Sequence, residues 1–217
     1  MTGLLIAFEG VEGAGKSTQI EQSRDWLDSY YAGKVPIVIT REPGGTHLGQ
    51  ELRRLLLETA NPTATTELLL YAADRAQHVE EMLEPELERG AIVLCDRYTD
   101  STIAYQGFGR GADLELIRTL NQIATRGLES HLTLWLDIEV EIGLQRAKSR
   151  GKQSDRMERS ALDFHQRVRQ GFSQLAAQNP HRIVRLDALP DPAIVQSNIQ
   201  QILRKFLSDR GFGNDRE

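Results

Sequence analysis

The sequence predicts an α/β fold built on a doubly wound parallel sheet, and three observations carry that prediction. Short apolar runs alternate with longer segments of helical spacing, a glycine-rich loop follows the first run, and 40% hydrophobic with 26% charged residues over 217 positions suits one well-buried core. Parallel strands need crossover connections and bury both faces, so their runs are continuous rather than alternating.

Five runs read as strands: Leu4 to Phe8, Val35 to Thr40, Ala91 to Cys95, Leu132 to Leu136 and Ile183 to Leu186. A helical stretch, Thr18 to Leu27, follows the glycine loop. The last helix has its start marked by Asp191 as cap and Pro192 in the first turn, and Ile194, Ile199, Ile202, Leu203 and Phe206 are expected on one apolar face. Gly211 to Glu217 is polar and glycine-containing and reads as a loose tail. No repeat, low-complexity tract or linker-like shift divides the chain, so residues 1–217 are expected to form a single domain.

Composition excludes several classes. A net charge of −5 provides no global field for a polyanion, so nucleic acid is not expected as a partner and any phosphate must be held by local cations. The lone Cys95 rules out an internal disulfide and sits in an apolar run, as a small buried residue would. No apolar stretch reaches the ~18 residues of a membrane span, and the N-terminus enters a strand at Leu4 without a basic, cleavable leader, so a cytoplasmic protein is expected. His47, His78, His131, His165 and His181 form no HxH or HExxH set, which leaves a zinc site without footing.

The chemistry begins at Gly10-Val11-Glu12-Gly13-Ala14-Gly15-Lys16-Ser17, the GxxxxGK[ST] pattern between a strand and a helix. Glycines there let successive N–H groups turn inward around phosphate oxygens, and the helix N-terminus adds its positive end. Lys16 is expected to reach the β- and γ-phosphates, and the Ser17 hydroxyl to ligate Mg²⁺. A GTPase switch would carry NKxD-type and DxxG signatures, and neither is present. Asp96 closes the third predicted strand, where a carboxylate can orient water in the Mg²⁺ shell, and Arg97 then offers a planar fork to a phosphate.

Four further segments resemble thymidylate kinase of the bacterial type: Thr40-Arg41-Glu42-Pro43-Gly44-Gly45-Thr46; Tyr71-Ala72-Ala73-Asp74-Arg75; Asp96-Arg97-Tyr98 with Ser101-Thr102 and Tyr105-Gln106-Gly107; and Arg146 to Gly151 leading to Asp155-Arg156. The resemblance implies a P-loop NTPase fold with a five-stranded parallel sheet, helices on both faces and a short lid at about 146–158. It implies ATP as donor, held by Gly10 to Thr18 and Arg146, with Mg²⁺, and dTMP as acceptor. Arg41, Glu42, Arg53 and Arg97 would contact the acceptor nucleotide or its phosphate. Tyr71 would stack on thymine in place of the usual phenylalanine, Arg75, Thr102 and Gln106 would border the base, and Tyr105 would crowd the sugar 2′ position. For Arg53 with Arg54 the alternative is a solvated helix face, and for Tyr71 and Tyr105 it is core packing.

Some members of that family place an arginine inside the P-loop, whereas this loop has Val11-Glu12-Gly13-Ala14. By resemblance, Glu12 faces the acceptor sugar and Arg150, in the lid, supplies the missing charge to the transferring phosphoryl. No general base is required, because the acceptor phosphate is already an anionic nucleophile. The expected catalytic set is therefore Lys16, Arg97, Arg150, Asp96 and Glu12, with Ser17 and Asp96 (through water) serving the metal. A homodimer is also implied by resemblance. Another nucleoside or nucleotide kinase, or a non-catalytic nucleotide-binding module, remains as an alternative reading of the same residues.

Overall fold

The structure, a computed structural model, describes residues 3–59, 61–149, 156, 157 and 160–212. Its strands are β1 (Leu4–Glu9), β2 (Ile37–Arg41), β3 (Ile92–Asp96), β4 (Leu132–Asp137) and β5 (Ile183–Asp187). The helices are α1 (Lys16–Tyr31), α2 (His47–Arg54), α3 (Ala64–His78), α4 (Glu84–Glu88), α5 (Thr99–Thr102), α6 (Leu114–Thr125), α7 (Val140–Ser149), α8 (Leu162–Gln178) and α9 (Pro192–Asp209). Wider π-helical turns extend α2 (Leu55–Thr59), α3 (Val79–Leu83) and α5 (Ile103–Gly109).

All strand pairs are parallel, in the order β2-β3-β1-β4-β5. In β1, Leu4, Ile6 and Phe8 enter one apolar cluster while Leu5 and Ala7 enter another, so the sheet is buried on both faces. That double burial is why the runs were apolar throughout. Cys95 is fully buried, and burial pushes its thiol well above the ordinary range.

Each strand ends one residue beyond its predicted apolar run, on a charged side chain: Glu9, Arg41, Asp96, Asp137 and Asp187. Hydrophobicity marks the core, but the ladder continues to the carboxyl edge, where water or ligand begins. Neighbours β1 and β3 lead off in opposite directions, one to β2 and the other to β4. The crevice beyond their carboxyl ends is where such sheets collect ligands.

Two expectations at the C-terminus are corrected. Asp191 does cap α9, its side chain accepting from the Ala193 N–H at 2.9 Å, but the buried face runs through Val195, Ile199, Leu203 and Leu207, and Ile194 is exposed. Spacing of four selects that stripe, and Ile194 falls a residue off it. The expected loose tail is also corrected at Phe212, which is buried and whose carbonyl accepts from the Tyr31 hydroxyl at 2.6 Å. Residues 213–217 lie outside the described part.

Candidate active site

The loop between β1 and α1 closes on itself through glycine. Gly10, Gly13 and Gly15 have φ of 143°, 73° and 91°, values that side chains resist, and a Cβ on Gly13 would collide with the Gly143 carbonyl of α7. Lys16 is buried, its ammonium donating to the carbonyls of Gly10 (3.0 Å) and Val11 (3.1 Å). Burial, and then the nearby Arg97 guanidinium, lower its pKa. Ser17 and Thr18, the next two residues of α1, are exposed.

Arg97, just past β3, adopts φ 71° and anchors its N–H on the Phe8 carbonyl at 3.0 Å. Its guanidinium donates to Glu12 Oε1 (2.6 Å), the Gly10 carbonyl (3.0 Å) and Ser101 Oγ (3.3 Å), and lies 4.7 Å from the centre of the Tyr105 ring. Burial would raise the Glu12 pKa, but Arg97 and Lys16 hold it down to about 2.

Glu9 was not singled out from the sequence. It is fully buried and accepts hydrogen bonds from the Tyr98 and Ser101 N–H groups and the Ser101 hydroxyl, tying the end of β1 to the start of α5, just after Arg97. Burial raises its pKa to about 7, against the lowering effect of Arg97. Its only signal was position: a charged residue closing a strand immediately before the glycine loop.

Asp96 Oδ1 is buried with no hydrogen-bond donor among the described residues, and Asp96 shares a groove with Ser17, Lys16 and Arg41. A buried, unsatisfied carboxylate oxygen beside a hydroxyl fits a hydrated divalent cation, the chemistry that Mg²⁺ requires.

Beside this groove lies a second cavity, lined by Tyr71, Arg75, Thr102, Tyr105, Gln106 and Met157 among others. Arg75 is almost wholly buried and donates to Glu42 Oε2 (2.8 Å), Thr102 Oγ1 (2.9 Å), Asn121 Oδ1 (2.7 Å) and the Tyr98 carbonyl (3.1 Å). The other Glu42 oxygen meets His78 Nδ1 at 2.8 Å, while His78 Nε2 lies 2.7 Å from the Thr40 hydroxyl. The carboxylate can only accept, so Nδ1 is the protonated nitrogen. Burial opposes ionisation of Glu42, but Arg75 and His78 keep its pKa low. Glu42 therefore borders the cavity with both oxygens committed to holding Arg75 and His78. Gln106 is buried and donates from Nε2 to Glu67 Oε1 at 2.8 Å.

The remaining expected residues are distributed as follows. Arg53 lines both cavities and donates to the Pro43 carbonyl at 3.0 Å, whereas Arg54 turns outward to Glu51 at 3.1 Å. Arg41 faces the P-loop groove rather than the Tyr71 cavity. Arg146 donates to the carbonyls of Ala188 and Leu189, both at 3.0 Å, joining α7 to the loop after β5. Arg150 and most of the expected lid lie outside the described residues. Glu67, His78 and Asn121 join Glu9 as residues the sequence did not flag. Glu67 in particular reads there as an ordinary acid in a helix's first turn.

The chain is similar to known proteins over nearly its whole length. The family model for thymidylate kinase matches residues 8–199. The thymidylate kinase of Nostoc punctiforme is 58% identical over 210 residues, covering 95% of this chain and 98% of the relative. That of Trichodesmium erythraeum is 56% identical over 221 residues, covering 95% and 97%. The crystal structure of thymidylate kinase from Ehrlichia chaffeensis matches with a TM-score of 0.78 at 32% identity, over 94% of this chain and 100% of that one. Matched by the family model over residues 8–199 and by these relatives over nearly its whole length, the chain belongs to the thymidylate kinase family.

Proposed function

We propose that the chain transfers the γ-phosphoryl group of ATP to dTMP, giving dTDP and ADP. The observation that carries this reading is the shared wall of the two cavities: Glu12, Glu42, Arg53 and Arg97 border both the P-loop groove and the Tyr71 cavity. Two anionic nucleotides entering from either side would meet at the guanidiniums of Arg53 and Arg97. Family membership, with relatives named thymidylate kinase at more than 50% identity, supports thymidylate as the acceptor.

In this mechanism an oxygen of the acceptor phosphate attacks the γ-phosphorus, and the bond from that phosphorus to the β-bridging oxygen breaks toward ADP. Lys16 exchanges the Gly10 and Val11 carbonyls for phosphate oxygens, keeping its charge matched inside the loop. Arg97, aligned by Glu12, Ser101 and Gly10, holds the acceptor phosphate in line. Arg150 neutralises the equatorial oxygens as charge spreads there. Glu12 faces the acceptor sugar, while Tyr71 stacks on the base and Arg75, Thr102, Tyr105 and Gln106 enclose it and its sugar. Ser17 and Asp96 would hold Mg²⁺, which supplies charge neutralisation across the donor phosphates when bound. Arg146 and the loop it fixes at Ala188 border the donor side.

We further infer a cytoplasmic homodimer. Among the described residues no helix is long and apolar enough to cross a membrane, and α3 and α6, which pack together, leave Leu69, Leu116 and Ile123 exposed. Sedimentation at micromolar concentration tests the dimer. The acceptor is tested by turnover with dTMP, dUMP, dCMP, dGMP and AMP: dTMP should be preferred, and faster turnover of a purine nucleotide would overturn the assignment.

A further inference from the structure

Glu67, in the first turn of α3, is 2% exposed although it touches neither expected substrate position directly. Both its oxygens are committed. Oε1 accepts from Gln106 Nε2 at 2.8 Å and faces Arg110 Nε at 3.5 Å, and Oε2 pairs with Arg156. Those two arginines are themselves held. Arg156 donates from Nε to the Leu56 carbonyl at 2.9 Å, and Arg110 lies 4.7 Å from the centre of the Phe164 ring and 3.4 Å from Met157 Sδ. A carboxylate caught between two fixed guanidiniums cannot rotate away from the amide beside it.

An amide can present either its oxygen or its NH₂ to a neighbour. Here the neighbour decides. The Glu67 carboxylate offers only acceptor sites, so the amide's NH₂ end must point to it and the carbonyl oxygen must point the other way. Gln106 itself is buried and lines the Tyr71 cavity. An acceptor fixed in such a wall calls for a ligand donor, and a ring N–H of thymine or uracil supplies one. Cytosine would set a lone pair against a lone pair, and a site built around one hydrogen-bonding pattern strongly rejects a ligand that cannot complete it.

We propose that Glu67 sets the hydrogen-bonding polarity of the base pocket, fixing Gln106 so that a pyrimidine bearing a ring N–H is accepted and cytosine is refused. Glu67 is thus a positioning residue for specificity, and the proposal rests on the dTMP kinase reading above. In Glu67→Gln the neighbouring amide can donate as well as accept, so Gln106 loses its fixed orientation.

The test is the ratio of kcat/KM for dTMP to that for dCMP in the whole protein. It should fall about tenfold or more in both Glu67→Gln and Gln106→Leu, the size of one mispaired buried hydrogen bond. An unchanged ratio in Glu67→Gln overturns the proposal, whether or not Gln106→Leu changes it. Should Glu67→Gln fail to fold, the wild type decides: the Gln106 side-chain amide, assigned by its loss in Gln106→Leu, should show slowed hydrogen exchange, and solvent-like exchange would also overturn the idea. Absence of dTMP turnover in the wild type would sink the kinase reading instead, and the amide exchange would still report on the Glu67 pairing.

Discussion

Arg97 Nη2 donates to Glu12 Oε1 at 2.6 Å, so one ion pair joins the end of β3 to the phosphate loop. Arg97 sits in the left-handed region at φ 71°, and its guanidinium also donates to the Gly10 carbonyl of that loop at 3.0 Å. Glu12→Ala should leave that guanidinium without its orienting partner, raising the KM for dTMP and lowering kcat/KM by about 10- to 100-fold, as expected when one charged hydrogen bond is lost. Steady-state kinetics check it, and a kcat/KM within about twofold of wild type would remove Glu12 from this role.

A pH effect follows from Glu9, whose pKa burial raises from 4.5 to about 7. The folded protein keeps this proton over a range in which the unfolded chain has lost it, so the contribution is full below pH 4.5 and is lost as pH rises toward 7. At about 1.4 kcal/mol per pH unit, the difference in stability between wild type and Glu9→Gln should shift by roughly 3 kcal/mol across that window, to the detriment of the wild type. Urea unfolding at several pH values measures it, and parallel curves would count against a protonated Glu9. Asp74, raised to about 6 by burial and then by Glu42, acts in the same direction in both proteins and cancels in the comparison.

Arg75 carries a structural load as well as bordering the base. Removing it in Arg75→Met leaves one oxygen of the buried Glu42 carboxylate without its cation and should destabilise the fold by about 3–5 kcal/mol. Because the two side chains share one network, the double variant with Glu42→Gln should lose less than the sum of the single losses. Strict additivity in denaturant unfolding would show that the pair is not coupled.

Arg150→Ala addresses the expected lid. A guanidinium that acts on the transferring phosphoryl stabilises the transition state more than the ground state, so kcat should fall by about 10³ or more while the KM for dTMP changes little. Unchanged kcat would take Arg150 out of catalysis.

The sheet and the phosphate loop were legible in the sequence because each leaves a local mark. Continuous apolar runs announce strands buried on both sides, and Gly10, Gly13 and Gly15 with Lys16 announce a loop whose backbone must turn outside ordinary φ. Position at a strand's carboxyl edge likewise pointed to Asp96 and Arg97. The resemblance to thymidylate kinase added the acceptor side.

What those residues do to one another was not legible. Glu42 was expected at the nucleotide, yet both its oxygens are taken by Arg75 and His78, residues 33 and 36 positions away. Glu9 and Glu67 look like routine acids at the ends of elements, and only packing brings Ser101 to one and Gln106 to the other. Sequence therefore determined the fold class, the glycine cradle and the kind of chemistry, since periodicity and backbone demands are local. Tertiary structure alone decided which carboxylates are buried, which are paired and which face outward, because burial and pairing depend on neighbours that the chain delivers only once it has folded.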